Sequence, residues 1–382
     1  MFDSADLDHA IDKDTYEREV PALRAALLAA QQEAQAAKRF QVIILVGGVD
    51  GAGKGEIVNL LNEWMDPRHI HTHGMGAPTD EELARPPMWR FWRALPPKGQ
   101  IGIFFGSWYT EPIVSRVKGK SSNGELVERL DEVVRFERML TDEGALVLKF
   151  WLHLSKRDQR RRLEALQADP ATRWRVSPIE WKHYRIYDKF RKVSERALRQ
   201  TSTGPAPWIV VSGKDARYRA ITVSTAILGA LRRRLDEPEP ARRVATPRVA
   251  RAQERNLLRA LDLRQTIDKA AYEEELEQLK GRLNLLTRDK RFRRMSVAGV
   301  FEGVDAAGKG GAIRRITAAL DARYYHVHPI AAPTEEERAQ PYLWRFWRNV
   351  PKDGAVALFD RSGSPSGLVE VRGGVSGLQR EA

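Results

Sequence analysis

Apolar residues along the first 235 positions gather into five short runs: FQVIILVGG (40–48), a segment near 69–76, QIGIFF (100–105), ALVLKFWLHL (145–154) and PWIVVSG (207–213). The clearest of them are continuous and rich in Val and Ile, instead of alternating with polar residues, so both faces of each strand should be covered. Helical stretches separate them. One occupies IDKDTYEREVPALR (11–24), a second follows the first strand to about Met65, and a third opens at Asp80 behind Thr79, with Glu82 three residues on as a capping box. A closing helix spans 217–235. Strands that alternate with helices predict an α/β fold with a parallel sheet between helical layers.

The pattern then repeats. VGGVDGAGKG (46–55) returns as FEGVDAAGKG (301–310), an offset of 255 residues, and the same offset carries "APTDEELARPPMWRFWRALP" onto "APTEEERAQPYLWRFWRNVP" without a gap. A period this long means tandem domains. The expected division is a first domain over 1–235, a Pro-rich charged linker over 236–251 (DEPEPARRVATPR covers 236–248), and a second domain over 252–382. The second copy follows the first as far as ALFDRS (357–362). The Gly- and Ser-rich tail after that matches nothing in copy one, so the second domain is expected to be truncated after about 362, without two strands and the segment between them. Its loop-bearing strand at 297–303 would then be a bare sheet edge.

Both copies place Gly-x-x-x-x-Gly-Lys between a strand and a helix, the arrangement of a phosphate-binding P-loop. Glycines let backbone N–H groups approach phosphate oxygens, the helix adds its positive end, and lysine supplies a point charge. The candidates are Gly48, Asp50, Gly53, Lys54 and Gly55 in copy one, and Gly303, Asp305, Gly308, Lys309 and Gly310 in copy two. Gly55 and Gly310 stand where the usual loop has the Ser or Thr that ligates Mg²⁺. Aspartates could replace it: Asp50 or Asp305 inside the loop, and Asp360 at the end of the third strand, where a phosphate-loop protein holds its metal. Arg361 follows Asp360, but copy one has Phe105 and Gly106 at those places and looks impaired at its metal centre.

Charge points the same way. Lys plus Arg number 64 against 51 Asp plus Glu, a formal net charge of +13, which favours an anionic partner. Without cysteine, disulfides and thiolate chemistry are excluded. The acidic, polar start and the lack of a bilayer-length apolar run make a cytoplasmic protein with no membrane partner the expectation. Between strands four and five, LSKRDQRRRLEALQADPATRWRVSPIEWKHYRIYDKFRK (154–192) carries Arg160, Arg161 and Arg162, with Arg173 and Arg175 beyond. A solvated helical face would explain such a run; a lid that closes over phosphates explains it together with its position. The aromatics of WRFWR cannot all share one helix face, and most should pack on the sheet, with Arg90 or Arg345 able to reach phosphate. His71/His73 and His326/His328 read as partly buried strand histidines, since no third ligand suggests zinc.

Taken together, G-x-D-x-x-G-K-G in both copies, the A-P-T…W-R-x-W block, FDRS (359–362), its degenerate partner FFGSWY (104–109) and the lid opening S-K-x-x-Q-R-x-R (155–162) resemble the polyphosphate kinase 2 family, in its tandem-domain branch, the polyphosphate:AMP phosphotransferases. The resemblance covers nearly all of 1–235 and about 252–362. It implies a P-loop NTPase-like, nucleotide-kinase-like three-layer fold, tandemly duplicated with the second copy incomplete. It implies transfer of the terminal phosphoryl of inorganic polyphosphate to AMP, giving ADP, with Mg²⁺ as cofactor. The family's loop ends in Lys-Gly, so the missing hydroxyl is normal there, and the second copy is usually the catalytic one. On that reading Asp305, Lys309, Asp360 and Arg361 form the catalytic set, with Asp305 and Asp360 on the metal. Copy one would keep a lid but no metal carboxylate, and copy two the carboxylate but no lid. An ATP-dependent nucleotide kinase and a non-catalytic polyphosphate-binding module stand as alternatives. A nucleic-acid partner is not expected, for no recognition motif accompanies the charge. Association into a homo-oligomer stays open.

Overall fold

The computed structural model describes residues 2, 5–7, 9–238, 262, 264–303 and 306–361. Most of the linker, the tail from Ser362 and loop residue Asp305 therefore lie outside the described residues, and Arg361 is described by its backbone alone. The chain divides into two compact units. Unit 1 holds 1–78, 90–238 and the short segment Glu335–Trp344; unit 2 holds Thr79–Trp89, 239–334 and 345–382.

In unit 1 the five apolar runs become β1 (Val42–Gly48), β2 (Ile70–Gly74), β3 (Ile101–Phe105), β4 (Leu146–His153) and β5 (Trp208–Ser212). They form one parallel sheet in the order β2-β3-β1-β4-β5. The loop-bearing strand is central, as the crossover rules for parallel sheets favour. Val42 faces Ile101 on one side and Leu146 on the other. Ile44, Phe150 and Leu152 are fully buried and tie the sheet to Leu27 and Ala30 of the first helix (Lys13–Ala37) and to Ile227 and Leu231 of the closing helix (Ala216–Asp236). Two helices that the apolar pattern did not single out, Thr110–Val117 and Asn123–Asp142, complete the layer around β3 and β4. Ser122 opens the longer of them with a full capping box to Glu125.

A charged residue sits inside the otherwise apolar β4. Lys149 is 0 % exposed, and its ammonium donates to Glu137 Oε2 (2.7 Å), Tyr109 Oη (3.0 Å) and the Thr201 carbonyl (2.7 Å). Glu137 Oε1 also accepts from Trp108 Nε1 at 2.9 Å and Tyr109 Oη at 2.7 Å. Burial pushes the Lys149 ammonium below its usual range while Glu137 pulls it back. With every hydrogen satisfied, the pair survives in a dry interior that neither charge would survive alone.

Trp89, Phe91 and Trp92 are all buried, although a single helix face cannot carry them. The short helix Trp89–Ala94 is covered on more than one side: Phe91 meets Trp108 edge-on at 5.5 Å, and Trp92 meets Phe136 at 5.4 Å. Arg90 and Arg345 each donate to a carbonyl just after the second strand of their copy, Gly76 O at 3.2 Å and Ala331 O at 2.8 Å. The two arginines therefore brace that turn.

Unit 2 repeats the first three strands as β6 (Val297–Phe301), β7 (Tyr325–Ile330) and β8 (Val356–Arg361), a parallel sheet in the order β6-β8-β7. Among the described residues β6, the strand before the second loop, is an edge, and Val297 and Val300 on it are each 39 % exposed. The apolar cluster here is small: Phe292, Ile313, Val356 and Leu358.

Two stability predictions follow from unit 1. Gly48 ends β1 at φ 141°, and a Cβ there would overlap the Leu152 carbonyl across the ladder. Gly48→Ala should cost about 3 kcal/mol in urea unfolding, combining overpacking with backbone strain; a loss below 1 kcal/mol would show that the β1–β4 approach relaxes freely. Lys149→Met, which leaves the Glu137 carboxylate buried without its cation, should cost about 3–5 kcal/mol, and Lys149→Met/Glu137→Leu should recover much of that loss.

Candidate phosphate-binding site and its lid

In copy one the chain leaves β1 at Gly48, turns through 49–53 and enters the helix Lys54–Trp64. Gly53 caps that helix in a left-handed conformation (φ 87°), which only glycine adopts without strain. Lys54 therefore starts the helix and folds back over the loop. Its ammonium donates to Gly48 O (2.9 Å), Val49 O (3.0 Å) and Asp50 Oδ1 (3.0 Å). Asp50 Oδ2 lies 2.6 Å from His183 Nδ1, and the Asp50 carbonyl accepts from Gln159 Nε2 at 3.0 Å. Burial pushes the Asp50 carboxyl up, but Lys54 and His183 together outweigh it and hold it below the usual carboxylate value. Asp50 is thus a carboxylate engaged on both oxygens.

The segment at 154–192 folds into the helix Lys156–Ala168, a turn at Arg173–Arg175, the helix Pro178–Arg185 and the start of the helix Tyr187–Thr201. Ser155 caps it, accepting from Asp158 N at 3.1 Å. Its three predicted cations take different positions. Arg162 turns to the loop, its Cγ close to Gly51, and donates to Glu56 Oε1 at 2.8 Å. Arg160 pairs along the helix with Glu164 at 2.7 Å, and Arg161 is exposed. Arg175 approaches Glu56 Oε1 to 3.9 Å.

Three participants were not singled out from sequence. Arg219, in the first turn of the closing helix, is only 3 % exposed; it lies against Gly53, donates to Gly213 O at 2.7 Å and pairs with Glu56 Oε2. Glu56 and His183 are the others. Only Glu56 had a visible signal, because the repeat aligns it with Gly311, a change from carboxylate to no side chain directly after the shared Gly-Lys-Gly. Above the loop opens a cavity of about 490 Å³, with Asp50, Lys54, Phe105, Trp151, Gln159 and His183 among its lining. Phe105 ends β3, and the chain then turns at Gly106 with φ 83°.

Copy two repeats the loop frame. Gly308 caps the helix Lys309–Ala319 at φ 85°, and Lys309 Nζ donates to Gly303 O at 2.8 Å, the counterpart of the Lys54–Gly48 bond. Among the described residues, nothing lies within 4 Å of the position of a Cβ at Gly55 or Gly310. Where copy one turns at Gly106, β8 continues as extended strand through Asp360 and Arg361, with Asp360 opposite Phe301 at the end of the loop-bearing strand. Asp360 Oδ1 is shielded from solvent and has no hydrogen-bond partner among the described residues. A buried, unpartnered carboxylate oxygen is a costly arrangement that a bound cation would relieve. Among the described residues no cluster of three or more His, Asp or Glu gathers into a metal cage, and no helix is long and apolar enough to cross a membrane.

The family model for polyphosphate kinase 2 matches residues 10–239 and 266–380, each covering one copy of the repeat and the second running on beyond Ser362. A polyphosphate:AMP phosphotransferase of Pseudomonas aeruginosa is 56 % identical over 372 residues, spanning 97 % of this chain and 75 % of that protein. One of Pseudomonas syringae pv. tomato is 50 % identical over the same shares. A crystal structure from Pseudomonas aeruginosa, described as a polyphosphate kinase 2, superposes with a TM-score of 0.86 at 50 % identity, covering 99 % of this chain and 78 % of that one. The duplicated loop, the parallel sheets and these matches lead to one conclusion: the chain belongs to the polyphosphate kinase 2 family.

Proposed function

We propose that this chain is a polyphosphate:AMP phosphotransferase, that it uses Mg²⁺, and that the transfer takes place at the second loop. The observation that carries the assignment to copy two is Asp360: a shielded carboxylate oxygen without a hydrogen-bond partner among the described residues, at the end of the strand next to the loop that presents Lys309. Copy one has Phe105 in that position, which ligates nothing. The close relatives named polyphosphate:AMP phosphotransferase support the choice of substrates.

Asp360 would hold Mg²⁺, together with Asp305, which lies outside the described residues. Bound there, the ion would neutralise charge on the transferring phosphoryl group and orient it. The chain's own residues do the remaining work. Lys309, fixed at the first position of its helix by the left-handed Gly308, sets a cation beside the loop amides, where donor phosphates dock. A phosphate oxygen of AMP attacks the terminal phosphorus of polyphosphate, and the bond from that phosphorus to the bridging oxygen breaks. ADP forms, and the polyphosphate leaves one unit shorter. The acceptor is already ionised near neutral pH, so little general-base assistance is required. The barrier lies in aligning two polyanions, which fixed cations and amides lower.

In an assay of ADP formation from AMP, polyphosphate and Mg²⁺, Asp360→Asn should lower kcat by about 100-fold or more, and chelation of Mg²⁺ should abolish turnover. Turnover with ATP but not polyphosphate would replace this reading with that of an ATP-dependent nucleotide kinase. Polyphosphate binding without ADP, unchanged in Asp360→Asn, would reduce the chain to a binding module.

A further inference from the structure

In copy one four cations around the phosphate loop already have carboxylate partners within the chain, two carboxylates facing four cations. Lys54 is held by Asp50, and three arginines from separate parts of unit 1 converge on Glu56. Arg162 comes from the lid helix, Arg175 from the turn after it, and Arg219 from the closing helix. Glu56 stands in the first turn of the helix Lys54–Trp64, where free amides and the helix dipole favour an anion. Its two oxygens divide the cations, Arg162 and Arg175 on Oε1 and Arg219 on Oε2. Phosphate oxygens recruit arginine forks in the same way. Arg219 is buried, so it needs a counter-anion at all times, bound ligand or not.

At the equivalent place copy two has Gly311, with no side chain to occupy it. We infer that Glu56 is an internal phosphate surrogate: it latches the copy-one lid onto its own loop and keeps polyphosphate off that loop, so that the donor chain is directed to copy two. Glu56 is thereby a specificity determinant acting between two loops of nearly the same sequence. The inference rests on polyphosphate being the donor.

The latch predicts a gain of binding. In a full chain whose second loop is silenced by Lys309→Ala, a polyphosphate of short, defined length should bind at least tenfold more weakly than to wild type. Adding Glu56→Gly, which copies the second loop, should then tighten binding at least tenfold, because Arg162, Arg175 and Arg219 are left seeking an anion. Glu56→Gln keeps the side-chain volume and guards against a simple folding defect; it should give a smaller gain in the same direction. Unchanged or weaker binding in both variants would overturn the inference, as would a Lys309→Ala chain that binds polyphosphate as tightly as wild type.

Limited trypsin digestion supplies a readout that needs no ligand. Without the Glu56 carboxylate, cleavage after Arg173 and Arg175 should accelerate severalfold, and added polyphosphate should suppress it again. An unaltered cleavage rate in Glu56→Gln refutes the latch even if polyphosphate proves not to be the donor. Failure of every chain, wild type included, to bind polyphosphate would instead count against the proposed substrate.

Discussion

A cradle for phosphate is a concentration of positive charge, and such a concentration cannot stand without an anion. Amides at a helix start, a lysine and several arginines repel one another, and those that are buried cannot be screened by water. The first copy meets the constraint with its own carboxylates: Asp50 against Lys54 and His183, Glu56 against Arg162, Arg175 and Arg219. The second copy has Gly311 in place of Glu56, and its strand-end carboxylate, Asp360, keeps an oxygen free of hydrogen-bond partners among the described residues. The first loop's cations thus have carboxylate partners in the chain, whereas the second loop lacks the counterpart of Glu56.

The same backbone plan supports both outcomes because the difference lies at strand ends and first helical turns. Both loops cap their helices with a left-handed glycine, Gly53 or Gly308, and both lysines return to the carbonyl that opens the loop, Gly48 or Gly303. At the third strand the copies part. β3 stops at Phe105 and turns on Gly106 in a conformation that β-carbons resist, whereas β8 continues extended through Asp360 and Arg361. That short difference exchanges a strand-end carboxylate for an aromatic wall of the 490 Å³ cavity.

The two sheets also differ in how they are closed. β1 lies between β3 and β4 and is buried along most of its length, while β6 pairs only with β8 among the described residues and exposes Val297 and Val300. In unit 1, β4 covers that flank, and it carries Lys149, whose charge is tolerated only because Glu137, Tyr109 and Thr201 surround it. Closing the sheet therefore required a polar network as well as an apolar strand. The chain spans about three-quarters of the length of the two Pseudomonas relatives.

Features that depend on neighbours in the chain were legible from sequence: the strand–loop–helix units, the capping box at Thr79, the lysine at the helix start and the 255-residue repeat. A parallel sheet between helical layers also followed, since continuous apolar runs separated by helices permit few arrangements. The convergence of positions 56, 162, 175 and 219 on one carboxylate was not legible. Nothing local marks Arg219 or His183, and copy two offers no matching segment to compare with them. Local propensity and spacing determined the loops and placed the lysines. Only the packing of the 154–192 segment and the closing helix around the loop decided which arginines meet which carboxylate, because side-chain pairing between distant segments is set by three-dimensional distance, which linear order does not encode.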